Sequence, residues 1–419
     1  MINDESSRLW SLLGYTVADD RGTGGSLDDA VQDELAALCH AADFRSTSIA
    51  VQVDYKKRKS GVFRAALAAL KARRFNDVPV ETEPLWRAIN AALAQSKLAL
   101  QFEPIDLNAA SDAVLREFLR FGSERCPAEQ YVVFMYGHAS GPMGMFYDRD
   151  SHRHVPHTMR LNDVASAIGE LQGKAAIVLF RDCYMNTLEA AYELRGVAKY
   201  MIASQSEVPI AGIWPWLDFL RHMKPGATPL AVAQGMAEQL GSFLDAPTNR
   251  TPFANVPISL IDVDAVADVV DPLRELGDAV DAARADATRW KKCGQALDAS
   301  RTGYPDDHSN PGDPSMIDVL TFCAELQERL PGDEVAGKAG ALADVITKGV
   351  VLHHHTQPGS RYRGVSLFCK PSAAKDVDRS YLLSGDEDEA RWDECYYHHL
   401  GLVHDSGWWR IALMPPAAG

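Results

Sequence analysis

Two residues of this chain stand where a polypeptide can do covalent chemistry. Cys183 follows the apolar run Ala175 to Phe180 (AAIVLF) and two charged residues, Arg181 and Asp182, and a helix is expected soon after it, from about Thr187 to Leu194. His138 follows the apolar run Tyr131 to Tyr136 (YVVFMY) and Gly137. A thiolate is a strong nucleophile and an imidazole exchanges a proton near neutral pH. A sulfur and an imidazole at the ends of two buried strands are therefore a candidate nucleophile and its acid–base partner. The strand-to-helix junction is expected to put the sulfur near the positive end of the helix, which favours the thiolate. Cys39, Cys126, Cys293, Cys323, Cys369 and Cys395 have no such setting and read as small buried hydrophobes.

The elements that must position these residues are legible as patterns. Leu9 to Val17, Ser48 to Val53, Tyr131 to Tyr136, Ala175 to Phe180 and Tyr200 to Ser204 are solid apolar runs that read as buried strands, and Val62 to Leu67 is a shorter candidate, either a strand or the start of a helix. Between them lie helical stretches, from about Leu27 to His40, Asp77 to Ala94, Ser111 to Glu124, Leu161 to Leu171 and Thr187 to Leu194. Alternation of this kind predicts an α/β fold with a mostly parallel sheet covered on both faces, and ligand sites in such sheets lie at the C-terminal ends of the strands. Beyond residue 222 the pattern becomes helical, over Pro229 to Leu244, Asp262 to Trp290, Ser315 to Leu330 and Ala336 to His353, with a turn-rich stretch at Gly303 to Pro314 and a last strand at Gly364 to Cys369. The expected division is a catalytic core at 1–222 and a helix-rich region at 223–419, whose final strand (about 364–369) returns to the core.

Composition narrows the function classes. With 57 acidic against 42 basic residues, the net charge of −15 disfavours nucleic acid and anionic lipid as partners. The basic run Lys56 to Lys59 reads as a solvated loop tip. No apolar run is long enough to span a membrane, and the first residues lack a signal-peptide pattern, so the expected location is the cytoplasm. Seven scattered cysteines without a CxxC pair resemble neither a disulfide framework nor a zinc site.

The segment Val178 to Leu194 (VLFRDCYMNTLEAAYEL) resembles the nucleophile segment of the clostripain family of cysteine peptidases, in which a buried strand leads to Asp-x-Cys-Leu-Met and then to a helix carrying Glu and Ala-Tyr-Glu-Leu. Cys183, Met185, Glu189 and Ala191 to Leu194 fit that pattern. Tyr131 to Gly144 (YVVFMYGHASGPMG) resembles the family's histidine segment, and LWSLLGYTVADD, SIAVQVD, LNAASDAVLREFL, IASQSEVPIAGIWPW and GVSLFCKP echo further segments in order. The resemblance implies a caspase-like three-layer sandwich and a Cys183–His138 dyad acting on a protein or peptide substrate, in a monomer. It also implies an oxyanion hole built from the backbone N–H groups of Cys183 and Ala139. The family commonly has Gly where Ala139 stands.

A second departure concerns specificity. Relatives that cut after Arg or Lys have Asp two residues before the nucleophile, where this chain has Arg181. An arginine there pairs well with a carboxylate, so the expected preference is for Asp or Glu before the scissile bond. Asp182, Ser204 and Glu207 join Arg181 as expected substrate-binding residues. In the competing reading Asp182 or Glu207 neutralises Arg181 and specificity is basic or of another kind, and in the plainest reading Arg181 points away from the substrate. Family members are often zymogens cut after the histidine, and the matching loop here, Phe146 to Thr158, offers Asp148, Arg149, Asp150 and Arg153. Clostripain uses calcium, for which Asp19, Asp20 and Asp54 are candidates, although strand-end aspartates ordinarily cap turns, and no cofactor is otherwise expected. His353 to His355 reads as a solvated helix end sooner than as a metal site, and Gly22 to Gly25 lacks the Lys-Ser/Thr of a phosphate loop. The alternative class is a catalytically silent caspase-like interaction module.

Overall fold

The computed structural model describes residues 8–18, 47–55, 61–66, 101–103, 109–148, 157–171, 173–209, 212–249, 256–302 and 316–369, together with parts of 27–38 and of 397–412. The expected helix at 77–94 and the turn-rich stretch at 303–314 lie outside these residues.

A nine-stranded sheet organises the chain. Its parallel centre consists of β1 (Arg8–Val17), β2 (Thr47–Tyr55), β5 (Ala128–Tyr136), β8 (Lys174–Phe180) and β9 (Ala198–Ser204). Antiparallel strands β3 (Gly61–Ala66) and β4 (Gln101–Glu103) extend one edge, and β10 (Ile258–Asp262) and β12 (Val351–His355) extend the other. The order across the sheet is β12-β10-β9-β8-β5-β1-β2-β3-β4.

The centre reads as solid apolar runs because both faces are covered. In β1, Leu13, Tyr15 and Val17 join one core while Trp10 and Leu12 join the other. In β5, Tyr131, Val133 and Met135 face the first core and Val132, Phe134 and Tyr136 the second. The first core is closed by α1 (Asp112–Arg125), α2 (Leu161–Gly169), α3 (Leu188–Glu193) and later helices. The helical stretch around Glu34 and two helices, α4 (Trp216–His222) and α5 (Pro229–Asp245), close the second. These are the three layers of a caspase-like sandwich.

One helical expectation is corrected and one strand is added. The stretch from Asp262 is helical as expected, but Ile258–Asp262 ahead of it is a strand without a sequence-level expectation, and the predicted helix through His353 ends in β12. β12 keeps His353 opposite Leu260 and His354 opposite Ser259 along the sheet edge, so the three histidines lie in a strand and do not cap a helix. The last expected strand forms as β13 (Ser366–Phe368). It pairs with β11 (Met316–Asp318) in a separate two-stranded sheet, and Ser366 bridges to Thr187.

Candidate active site

β5 and β8 are adjacent and parallel, with Met135 opposite Phe180 at their C-terminal ends. His138 and Cys183 therefore leave the same rim of the sheet, from neighbouring strands. Arg181 N–H extends the ladder by donating to Met135 O at 2.9 Å. Both side chains are half-buried.

The histidine segment is held by a tight return of the chain. β6 (Met145–Asp148) folds back so that Phe146 N–H donates to His138 O at 2.7 Å, and Ser140 N–H donates to Gly144 O at 2.9 Å. These two bonds flank the Ala139–Met145 bridge, so the N–H of Ala139 itself points away from β6. Among the described non-glycine residues only Phe146 and Tyr184 have positive φ, so alanine fits at 139 without backbone strain. Gly137 is a steric necessity, because a Cβ there would lie 2.7 Å from the Phe146 ring and 3.2 Å from Val17 O.

The cysteine segment differs from expectation in one respect. Helix α3 begins at Leu188 with Thr187 as its cap, the Thr187 hydroxyl accepting from Ala190 N–H at 3.1 Å. Cys183 thus stands outside the first turn, where the influence of a helix dipole has largely faded. The chain after β9 reaches the sulfur, where Val208 N–H donates to Cys183 Sγ at 3.4 Å. The next residue, Tyr184, is buried with φ at 60°, and its N–H donates to Ser206 O at 3.1 Å. A left-handed tyrosine costs on the order of 1–3 kcal/mol, which its surroundings must over-determine. Burial pushes the thiols of Cys293 and Cys369 up to about 11 and that of Cys323 up to about 12. These three are inert packing residues.

Arg181 is not where a substrate carboxylate would meet it. Its side chain is fully buried and ion-paired with Glu34, and its Nη2 donates to Gly212 O at 2.7 Å. The guanidinium carbon sits 4.5 Å from the centroid of Tyr136 and 5.4 Å from that of Trp214, within reach of cation–π attraction. Glu34 in turn accepts from Trp214 N–H at 3.1 Å and Trp216 Nε1–H at 2.7 Å. Burial raises the Glu34 carboxyl above its ordinary range, opposed by the Arg181 charge and these donors. The expectation that Arg181 recognises an acidic side chain loses its physical basis, because the charge is already balanced, and by Glu34, not by Asp182 or Glu207. Nothing in the spacing of the sequence links Glu34 to Arg181. The aromatic run around Trp214 was legible only as part of a resemblance.

Asp182 is wholly buried, and burial holds its carboxyl well above the usual carboxylate range despite the nearby Gly137 N–H and the Arg181 charge. Ser204 is buried and accepts from Ser206 N–H at 3.1 Å, so its hydroxyl shapes the turn after β9. Glu207 is half-buried beside Val208. In the expected processing loop, the backbone of Asp148 pairs with His157 of β7 (His157–Met159). Arg149, Asp150 and Arg153 lie outside the described residues.

Of the candidate calcium ligands, Asp54 is buried at the end of β2, where its carbonyl accepts from Ala18 N–H at 2.9 Å, and Asp19 and Asp20 lie outside the described residues. His354 is engaged on both ring nitrogens, by Ser259 Oγ at 3.0 Å and Tyr362 O at 3.1 Å. Among the described residues no group of three or more His, Cys, Asp or Glu side chains is arranged to hold a metal ion, and no helix is long and apolar enough to cross a membrane.

Known structures share this fold. A secreted C11 cysteine protease from Bacteroides thetaiotaomicron, solved with an irreversible peptide inhibitor, superposes with a TM-score of 0.62 at 15% identity, over 95% of this chain and 99% of that one. An inactive zymogen C11 protease from Parabacteroides distasonis gives a TM-score of 0.56 at 18% identity, over 95% and 97% of the two chains. Among curated proteins no relative matches. The clostripain family profile matches residues 94–318, more than half of the sequence and inclusive of both His138 and Cys183, and the chain therefore belongs to the clostripain family of cysteine peptidases.

Proposed function

We propose that this chain is a cysteine endopeptidase in which Cys183 and His138 form the catalytic dyad. Cys183 Sγ attacks the scissile carbonyl carbon, and the carbonyl oxygen becomes an oxyanion between the N–H groups of Ala139 and Cys183. His138 protonates the leaving amine, and water then hydrolyses the thioester. The observation that carries this reading is the in-register ending of β5 and β8, which brings the histidine and cysteine segments to one rim. The unspent Ala139 N–H adds to it. A peptide carrying an electrophilic acyloxymethyl ketone is expected to label the protein covalently. Labelling that persists in Cys183→Ala, or is indifferent to His138→Ala, sinks the dyad.

The Arg181–Glu34 pair favours a second element of the proposal, that the residue before the cut is not acidic. A randomised peptide library is expected to show no enrichment of Asp or Glu at that position, and dominant cutting after them would restore Arg181 as the selector. Self-processing between β6 and β7 also belongs to the proposal: with a non-acidic preference the cut falls after Arg149 or Arg153, whereas a cut after Asp148 or Asp150 would speak for an acidic pocket. N-terminal sequencing of the mature protein tests it. A cytoplasmic setting completes the reading, supported by the five described cysteines, none of which forms a disulfide.

A further inference from the structure

The chain after β9 touches the sulfur through its backbone. Val208 N–H lies 3.4 Å from Cys183 Sγ, whereas Val208 O lies at 4.0 Å. The amide hydrogen is thus well placed for a sulfur that accepts, and the carbonyl is at the outer limit for a thiol that donates. A hydrogen bond to an ionised acceptor is about twice as strong as one to its neutral form. We propose that the Val208 backbone N–H is a catalytic group of this enzyme, which stabilises the thiolate of Cys183 in the resting state.

The support behind this amide is unusually well built. Tyr184 N–H holds Ser206 O at 3.1 Å, and Ser206 N–H is tied to Ser204 Oγ at 3.1 Å. Gln205 is buried, donates to Asp318 Oδ2 at 2.9 Å and Ser366 Oγ at 3.0 Å, and accepts from Gly364 N–H at 3.0 Å. Asp318 is fixed in turn by Thr321 N–H at 2.8 Å and Arg363 N–H at 2.7 Å. A donor anchored this way needs no reorganisation when the sulfur ionises. The helix dipole expected to do this work is absent, since α3 begins beyond Thr187. Tyr136, Arg181, Glu34 and Asp182 share one electrostatic neighbourhood with Cys183, and His138 leaves the same rim from β5. The Arg181 charge is closed against Glu34, and the Val208 amide brings its own positive dipole end to the sulfur.

The inference rests on Cys183 as the nucleophile, but its test does not require peptidase activity. The rate of alkylation of Cys183 by iodoacetamide, read by peptide mass spectrometry across pH 5 to 10, reports the ionised sulfur directly. Val208→Pro removes the donor and keeps a compact apolar side chain. Its alkylation midpoint is expected to rise by about one pH unit, which lowers the rate at pH 7 by about tenfold. Val208→Ala, which keeps the N–H, is expected to leave the midpoint in place. Should the proline variant not fold, replacement of Val208 by its α-hydroxy acid keeps the side chain and substitutes an ester oxygen for the N–H. An unchanged midpoint in the ester or the proline protein overturns the proposal. A shifted midpoint in a parent protein that cleaves no peptide keeps the stabilisation of the thiolate by Val208 N–H but overturns its catalytic role together with the function proposed above.

Discussion

Arg181 and Glu34 form a closed ion pair beneath Trp214, at the root of the loop that carries Cys183. Two consequences follow from its burial. The guanidinium is removed from recognition, and the loop before the nucleophile is anchored to a helix from the first part of the chain. Glu34→Gln leaves a buried, unpaired cation, and removal of one partner of such a pair costs about 3–5 kcal/mol. Urea unfolding is expected to show that loss. The double change Glu34→Leu with Arg181→Met is expected to recover most of it, because two well-packed apolar side chains replace the charges. A single variant as stable as the parent would mean that the pair is not closed in solution.

Gly137 joins β5 to His138. A methyl group at this position meets the Phe146 ring and Val17 O, and overpacking of this kind costs about 1–3 kcal/mol. Relief requires the His138 segment to move, and a shift of about 1 Å in a catalytic group can cost about 10²-fold in rate. Gly137→Ala is therefore expected to lower kcat far more than it changes KM on a peptide substrate. An equal loss in both would point to a general disturbance of the fold.

Glu189 links the helix after the nucleophile to the end of the chain. It is fully buried and accepts from Phe368 N–H at 2.8 Å and Tyr397 Oη–H at 2.9 Å. Burial pushes its carboxyl from 4.5 up to about 7, so the folded state holds the proton more tightly than the unfolded chain does. The stability this provides is complete below pH 4.5 and is lost as pH rises to about 7, by on the order of 3 kcal/mol. Denaturation midpoints at several pH values are expected to fall across that window in the parent protein. In Glu189→Gln the fall is expected to be shallower by this amount. Identical pH profiles for the two proteins would exclude Glu189 as a titrating group.

Selective alkylation offers a simple check on the cysteines. Cys293, Cys323 and Cys369 are buried thiols held at about 11, 12 and 11. Cys183 is half-buried and accepts a hydrogen bond. Iodoacetamide at pH 8 is expected to modify Cys183 in the folded protein while these three remain intact. Peptide mapping that finds Cys323 modified as fast as Cys183 would contradict the burial described here.

The parallel centre of the sheet was legible because strands covered on both faces are apolar at every position, as β1, β5 and β8 are. The shared rim of His138 and Cys183 followed from the same runs. The antiparallel edge was not legible. Ile258–Asp262 is too short to separate from the helix that follows it, and Val351–His355 carries three polar histidines with no alternation of burial. The pairing of Arg181 with Glu34 was hidden for another reason. Its determinant is a contact between residues far apart in the chain, and a lone glutamate on an amphipathic helix reads as a solvated charge. Local reasoning assigned Arg181 to a ligand because it could not see that the protein supplies the counter-ion itself.

The antiparallel strands β10 and β12 complete the side of the sheet that begins at β9. Without them, the row of N–H and C=O groups on β9, flanked by the buried Tyr200, Met201, Ile202 and Ala203, would be open. Such an edge recruits other chains, so a fragment ended at residue 222 is a template for aggregation, not a free-standing enzyme. Proteolytic nicks are tolerated only where they leave β10 and β12 zipped in place.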